Sequence, residues 1–330
     1  MQFPADWQSH SCCYLAWAVH HEWGQYVNEV KKELRNVIAT IAAFEPVRLL
    51  TPAGSVDEAK QQVFGLSVDV IEAPVDDVWM RDIAPTFGRR GNELIAVDWN
   101  FNSWGSTSQR RPRSGDRLAT KAAMIFKATR IQMPFTAEGG AFITDGKGTV
   151  IVTKSCLLNN NRNGSVTTEQ IESYLSVLGV KKVIWLNGDP HEPITSGHVD
   201  GYVMFGESGD VLVEDVSGIS KAADQRRRQD IEILRSSTDA SGNQLKIIVV
   251  APPREDFWAY RDSLFAPSYL NAYVANGAII AGKFGDPERD KLAQLALHSA
   301  FPSRDFRMLE INHIAAGGGG VRCLTQPVPA

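Results

Sequence analysis

Cys323 follows four consecutive glycines, Gly317–Gly320. Glycines let a backbone approach another group closely and adopt unusual φ/ψ at low steric cost, so a thiol just beyond them, after Val321 and Arg322, is well placed to face a ligand. Elsewhere in the chain stand three further groups of chemical interest: Asp82 in Trp79-Met80-Arg81-Asp82, Glu138 before two glycines, and His198 with Asp200 in Gly197-His198-Val199-Asp200. A thiol becomes a nucleophile at neutral pH when a nearby imidazolium or a cationic substrate lowers its pKa. Read as an extended segment, His198-x-Asp200 puts both side chains on one face of a strand. Asp82 and Asp200, coming from different loops, are matched to a planar guanidinium held through paired charge-assisted hydrogen bonds. Glu138 is then the group that orients and charges His198.

Each residue also has a purely structural reading. Cys323 can be a small buried hydrophobe, as many free cysteines are. Asp82 can form a surface ion pair with Arg81, or an Asx-turn over Ile83-Ala84-Pro85, and Glu138 can be a loop charge. His198 and Asp200 can ligate a metal with His20 or His21. No Lys-Ser/Thr follows the glycine run, which argues against a phosphate-binding loop. Trp79, three residues before Asp82, fits either a core position or an aromatic wall against a cationic ligand.

Side chains so far apart in sequence need a scaffold that brings them together. Residues 23–44 carry an apolar helical stripe of Trp23, Tyr26, Val27, Val30, Leu34, Ile38 and Ile41. Ser55 with Glu58, and Thr167 with Gln170, read as capping boxes closed by Gly65 and Gly179. Further helices are expected from Asp116 to about Lys127, from Ala222 to Arg235 and from Pro287 to Ala300. After each of the last five helices comes a short apolar run that reads as a strand: Val68–Ile71, Arg130–Met133, Val183–Leu186, Leu245–Val250 and Phe306–Ile311. The loops that follow hold Asp82, Glu138, His198, Asn271 and Cys323, at separations of 56, 60, 73 and 52 residues. After most of them comes another strand, at Leu94–Val97, Thr149–Thr153, Val211–Glu214 and Ala278–Ala281. A helix–strand–loop–strand unit recurring about every 60 residues predicts internal pseudo-symmetry. Five such α/β units close into a ring with one polar loop from each at its centre.

The chain's 330 residues are 43% hydrophobic and 22% charged, the profile of a globular protein with a sizeable core. The formal net charge of −4 and a pI near 6.0 argue against nucleic acid and suit a small cationic partner. Cys12, Cys13, Cys156 and Cys323 match neither a zinc pattern nor a disulfide framework. The N-terminus does not read as a signal peptide, and the apolar stretch Cys12–Val19 is too short to span a bilayer. The expected setting is cytoplasmic, with no membrane partner. No linker divides the chain, so one catalytic domain over residues 1–330 is expected.

The motifs together resemble the agmatine deiminase family, related to the bacterial peptidylarginine deiminases in the guanidino-group-modifying superfamily. The resemblance runs from Pro4-Ala5-Asp6-Trp7 and Leu15-Ala16-Trp17 through Asp76-Asp77-Val78-Trp79-Met80-Arg81-Asp82, Glu138-Gly139-Gly140 and Asp145-Gly146. It continues with Cys156-Leu157-Leu158-Asn159, Asn161-Arg162-Asn163, Gly197-His198-Val199-Asp200, Ser268-Tyr269-Leu270-Asn271, Ala275-Asn276-Gly277 and Cys323-Leu324-Thr325-Gln326. It implies a five-bladed α/β-propeller with a central active site, a small guanidine as substrate, no metal or organic cofactor, and a homodimer as the candidate assembly. It also implies a catalytic set of Cys323, His198, Glu138, Asp82 and Asp200. Cys323 would attack the guanidinium carbon, Asp82 and Asp200 would hold its nitrogens, and His198, positioned by Glu138, would first protonate ammonia and then activate water. Asp76, Trp79 and Arg322 are the further candidate substrate contacts. An amidinotransferase or dihydrolase of the same superfamily, and a guanidine-binding protein without catalysis, are the alternatives.

Five positions depart from the family pattern. Ile143 and Arg322 each stand where the family has histidine, Gly320 and Ser196 where it has asparagine; a fifth, Ala84, replaces a glycine. Arg322 beside the nucleophile has two readings. It brings positive charge to the pocket and favours a substrate with a carboxylate or neutral far end, or it points away from Cys323 into an ion pair.

Overall fold

The computed structural model describes residues 1, 3–105, 118–119, 125–215 and 221–330, with the side chains of residues 22 and 221–224 left aside. The helix expected from Asp116 lies mostly outside the described residues. The strands form five separate sheets. Four share one plan, in which a first strand runs antiparallel to a central strand and the central strand runs parallel to a third. Thr86–Arg90, Glu93–Asp98 and Thr129–Gln132 make one of these sheets, and Ile143–Thr144, Thr149–Thr153 and Lys182–Leu186 the next. Val203–Phe205, Asp210–Glu214 and Lys246–Val250 follow, then Tyr273–Ala275, Ala278–Lys283 and Asp305–Glu310. The fifth sheet joins the two ends of the chain. Gln326–Pro329 pairs antiparallel with His10–Ala16, which runs parallel to Val47–Thr51, itself parallel to Val68–Glu72. This is the five-bladed α/β-propeller that the spacing predicts.

The strand sequences explain their places. The central strands Thr149–Thr153 and Asp210–Glu214 are buried at every position, whereas the third strand Asp305–Glu310 alternates toward solvent. A continuous apolar run suits a strand covered on both faces, and alternation suits one with a wet face. Helices make the parallel crossovers. Val27–Ala42 buries Val30, Leu34, Val37, Ile38 and Ile41. Thr168–Ser176 has the predicted capping box of Thr167 and Gln170. Pro287–Ala300 starts with proline in its first turn and the Asp286 carboxylate accepting from the Arg289 amide. The box expected at Ser55 is not formed: the Ser55 side chain makes no cap, and Glu58 instead pairs with Lys31 at 2.6 Å. Among the described residues no helix is long and apolar enough to cross a membrane.

The consequence for function is positional. Asp82, Glu138, His198, Asn271 and Cys323 each lie after the last strand of one sheet and before the first strand of the next. Every unit therefore delivers one such segment.

Candidate active site

Short helical turns carry three of these segments. Met80–Ile83 is one turn in which Asp82 and Arg81 point different ways. Asp82 is buried and accepts hydrogen bonds from the Gly140 amide and the Trp104 indole, each at 2.9 Å. Arg81 turns toward Asp6 at 3.3 Å. The surface ion pair and the Asx-turn are thus both replaced by a buried carboxylate. Val199–Gly201 is a 3₁₀ turn, not a strand, with His198 at its entry. The Glu192 carboxylate pins the approach by accepting from the amides of Ile194, Thr195 and Gly197 and from the Thr195 hydroxyl. The turn keeps His198 and Asp200 together: Nδ1 of His198 lies 3.8 Å from Asp200 Oδ1 and 3.9 Å from Asp82 Oδ2. The other ring nitrogen, Nε2, faces Glu138 Oε2 at 3.2 Å.

Glu138 is fully buried, which excludes its reading as a loop charge, and Arg162 donates Nε–H to its second oxygen at 2.7 Å. Arg162 is held in turn by Asn161 and the Thr195 carbonyl. Burial acts to raise the Glu138 pKa, but Arg162 and His198 outweigh it and hold the carboxyl below its ordinary value. Burial likewise acts to lower His198; Asp82, Cys156 and Glu138 overcome it and hold the imidazolium well above its usual range. Asp82 is pushed up by burial and by the nearby Asp200 and Glu138 carboxylates, against His198.

Glycine is required where these groups converge. A Cβ on Gly140 would lie 2.5 Å from His198 Nδ1 and 2.8 Å from Asp82 Oδ1. The four glycines before Cys323 pass equally close to neighbours, Gly317 against Trp23, Gly318 (φ +92°) against Ile194, Gly319 against Trp79 and Gly320 against Asn271.

Cys323 sits in the turn Val321–Leu324, partly exposed to a cavity of about 290 Å³ that His198, Asp200 and Asn271 also line. Asn271 clamps it: its Oδ1 accepts from the Cys323 amide at 3.1 Å, and its Nδ2 donates to Sγ at 3.0 Å. Asp200 Oδ2 is 3.9 Å from Sγ. Burial and the Asp200 and Asp82 carboxylates push the Cys323 thiol well above its ordinary pKa. The site therefore combines a protonated thiol with an imidazolium that has the Asp82 and Asp200 carboxylates within 3.9 Å; Asp200 lines the Cys323 cavity, and Asp82 is not among the described residues that do.

Arg322 is not among the described residues that line the Cys323 cavity; it lines a separate pocket with Asp6 and Arg81. Successive residues of a helical turn diverge by about 100°, so with Cys323 toward the cavity Arg322 turns beneath it. Its guanidinium is buried and spent on Asp6 (2.8 Å), Asp200 Oδ2 (2.9 Å) and the Phe142 carbonyl (3.2 Å). The ion-pair reading holds, with the carboxylates of Asp6 and Asp200 as partners. Trp79 packs on Gly319 and lies 6.0 Å, ring to ring, from Trp23. Neither Trp79 nor the half-buried Asp76 is among the described residues lining the Cys323 cavity. His20 faces Asp77 at 3.7 Å rather than joining His198 and Asp200. The described side chains that come closest to a metal-binding set are Glu138, Cys156 and His198, with ligand atoms within 4.8 Å of one another. The Arg162 guanidinium against Glu138 is an unfavourable neighbour for a cation there.

Sequence reasoning assigned no role to Asp6, Trp104 or Arg162 and read Asn271 only as the amide of its loop. Asp6, Arg162 and Asn271 stand inside motifs that carry the family resemblance, which is the signal that could have marked them. Trp104 carries none.

A family model described as Porphyromonas-type peptidyl-arginine deiminase matches residues 2–329. The agmatine deiminase of Medicago truncatula is 33% identical over 99% of this chain and 96% of its own length. That of Pseudomonas putida is 31% identical over 99% of this chain and 95% of its own. The solved agmatine deiminase of Enterococcus faecalis superposes with a TM-score of 0.91 at 26% identity, covering 99% of this chain and 95% of that one. With five strand units, a thiol–imidazole–carboxylate centre and a match along nearly its whole length, this chain belongs to the Porphyromonas-type peptidyl-arginine deiminase family.

Proposed function

We propose that this chain is a hydrolytic deiminase of guanidino groups with agmatine as its substrate, and that residues 1–330 act as one catalytic domain. The observation that carries the reading is the placement of His198 Nδ1 within 3.9 Å of both Asp82 and Asp200, with Asp200 3.9 Å from the Cys323 sulfur. In this reading the two carboxylates would hold a planar cation between them, with the Cys323 thiol to one side of it.

A guanidinium between Asp82 and Asp200 neutralises the charges that keep the proton on Cys323, so substrate binding releases the thiol proton to solvent and leaves the thiolate. Sγ then attacks the guanidinium carbon. His198, already protonated, gives its proton to the departing nitrogen, and ammonia leaves a thiouronium on Cys323. The now neutral His198 takes a proton from water, which adds to the same carbon, and the C–S bond breaks to release the ureido product. Glu138, locked by Arg162, keeps the imidazole aimed through both steps. Asn271 holds the sulfur.

The test is an ammonia-release screen over agmatine, arginine, guanidino acids and peptides ending in arginine, with mass spectrometry of protein quenched during turnover. Ammonia from agmatine and an adduct on Cys323, both lost in Cys323→Ala, are the expected results. Turnover only when an amine acceptor is added identifies an amidinotransferase instead. Substantial activity in Cys323→Ser removes the nucleophile assignment.

A further inference from the structure

The cavity that Cys323, His198 and Asp200 line is lined also by Glu214, the last residue of the strand Asp210–Glu214, together with Tyr202, Trp258, Phe265 and Ser268. Glu214 is 5% exposed. The Ser268 hydroxyl donates to Oε2 at 2.5 Å, whereas Oε1 is buried without a hydrogen-bond partner among the described residues. A buried carboxylate oxygen left unpaired is costly, and one facing a cavity is suited to a donor that arrives with a ligand.

The neighbouring charges decide which donor. Arg227 lies 3.4 Å over the Tyr202 ring and donates to the backbone carbonyl of Glu214, not to its carboxyl. Asp230 accepts from the Tyr202 hydroxyl and from the Asn187 and Gly188 amides. Arg226 is paired with Asp189 at 2.7 Å. Among its described residues the cavity wall carries six carboxyl groups against two guanidiniums and one imidazole, so a further cation is favoured over an anion.

Resting on the deiminase reading, we propose that Glu214 receives the far end of the substrate and that this end is a primary alkylammonium, joined to the guanidine by an aliphatic chain lying along Tyr202, Trp258 and Phe265. Burial raises the Glu214 pKa to about 7, against the Ser268 hydroxyl, the Arg227 charge and the Tyr269 backbone amide. The carboxylate that pairs with an ammonium is therefore incompletely formed at neutral pH, and affinity for such a ligand increases from pH 6 to pH 8.

The experiment is calorimetry on the Cys323→Ser protein with agmatine, n-butylguanidine and 4-guanidinobutyrate, repeated with Glu214→Gln added. Agmatine is expected to bind roughly tenfold or more tightly than n-butylguanidine, as a charge-assisted hydrogen bond supplies. Glu214→Gln is expected to abolish that preference and its pH dependence while leaving n-butylguanidine unchanged. A preference that survives Glu214→Gln, equal weakening of both ligands, tightest binding of 4-guanidinobutyrate, or no binding of any of the three overturns the proposal. Where Cys323→Ser does not fold, the ratio of KM values in the wild type and in Glu214→Gln is the same readout. Ammonia release reads the deiminase separately. A Glu214-dependent preference without ammonia from the wild type sinks hydrolysis and spares the ammonium site; ammonia release indifferent to Glu214 does the reverse.

Discussion

Arg322 shows how a single departure beside the nucleophile changes the site without entering the pocket. It is a cation whose burial is compensated by Asp6 and Asp200, and these carboxylates hold its pKa above the ordinary arginine value against desolvation. By occupying Asp200 Oδ2 it fixes that carboxylate's rotamer and leaves Oδ1 toward His198. We predict that Arg322→Met, which leaves the buried Asp200 carboxylate without its cation and the half-buried Asp6 with Arg81 alone, costs about 3–5 kcal/mol of stability and lowers kcat by at least tenfold. Arg322→Lys is expected to recover part of both, since an ammonium supplies charge without the forked geometry. Thermal unfolding and steady-state kinetics on the two variants check this. Full activity in Arg322→Met removes Arg322 as a positioning residue.

At the scale of elements, the N-terminal segment ties together two turns of different units. Asp6 links Arg81, on the turn that carries Asp82, to Arg322, on the turn that carries Cys323. Burial opposes ionisation of Asp6, but Arg322 and Arg81 outweigh it and hold the carboxyl well below its ordinary 3.8. The sign follows from proton linkage. A depressed carboxyl contributes stability that is present above pH 3.8 and lost as pH falls through the folded value. Asp6→Asn is therefore expected to unfold at a markedly lower temperature than the wild type at pH 7, with the gap narrowing below about pH 4. A gap independent of pH, measured by circular dichroism melts, contradicts an ionic role. Asp6 also marks a limit of reading elements locally. The helix stripe at Val27–Ala42 and the cap at Thr167 follow from spacing alone, because each is satisfied within its own segment. The failed cap at Ser55 and the turn at Val199–Gly201 do not, because Lys31 and Glu192 claim the partners.

For the whole molecule, the ring depends on its two ends meeting. Gln326–Pro329 closes the fifth sheet on His10–Ala16 immediately after the turn that holds Cys323. Nearby, His10, Glu45 and Tyr273 form a buried hydrogen-bonded group, and the Glu45 carboxylate and the His10 amide also engage Asn276, so the terminal sheet is tied to its neighbour. Deleting residues 326–330 removes the closing strand and frees the nucleophile's turn. We expect loss of turnover together with a lower unfolding temperature, whereas the same number of residues removed from the exposed Ser237–Asn243 loop leaves activity largely intact. Retained turnover in the C-terminal deletion refutes closure as the source of the site's geometry.

The amino-acid order alone determined the five-unit plan, since apolar runs at a regular period bury only against copies of themselves. It also determined the residue types that meet, because Cys323, His198, Asp82, Glu138 and Asp200 fall in the loop of successive units. Only the tertiary structure decided what surrounds them. That Arg322 lies under Asp200, that Arg162 locks Glu138, and that Glu214 shares a cavity with Cys323 are contacts between residues 24 to 122 positions apart, or between different units of the ring. Such contacts depend on the direction in which each turn presents its side chains, and closure of the ring sets that direction.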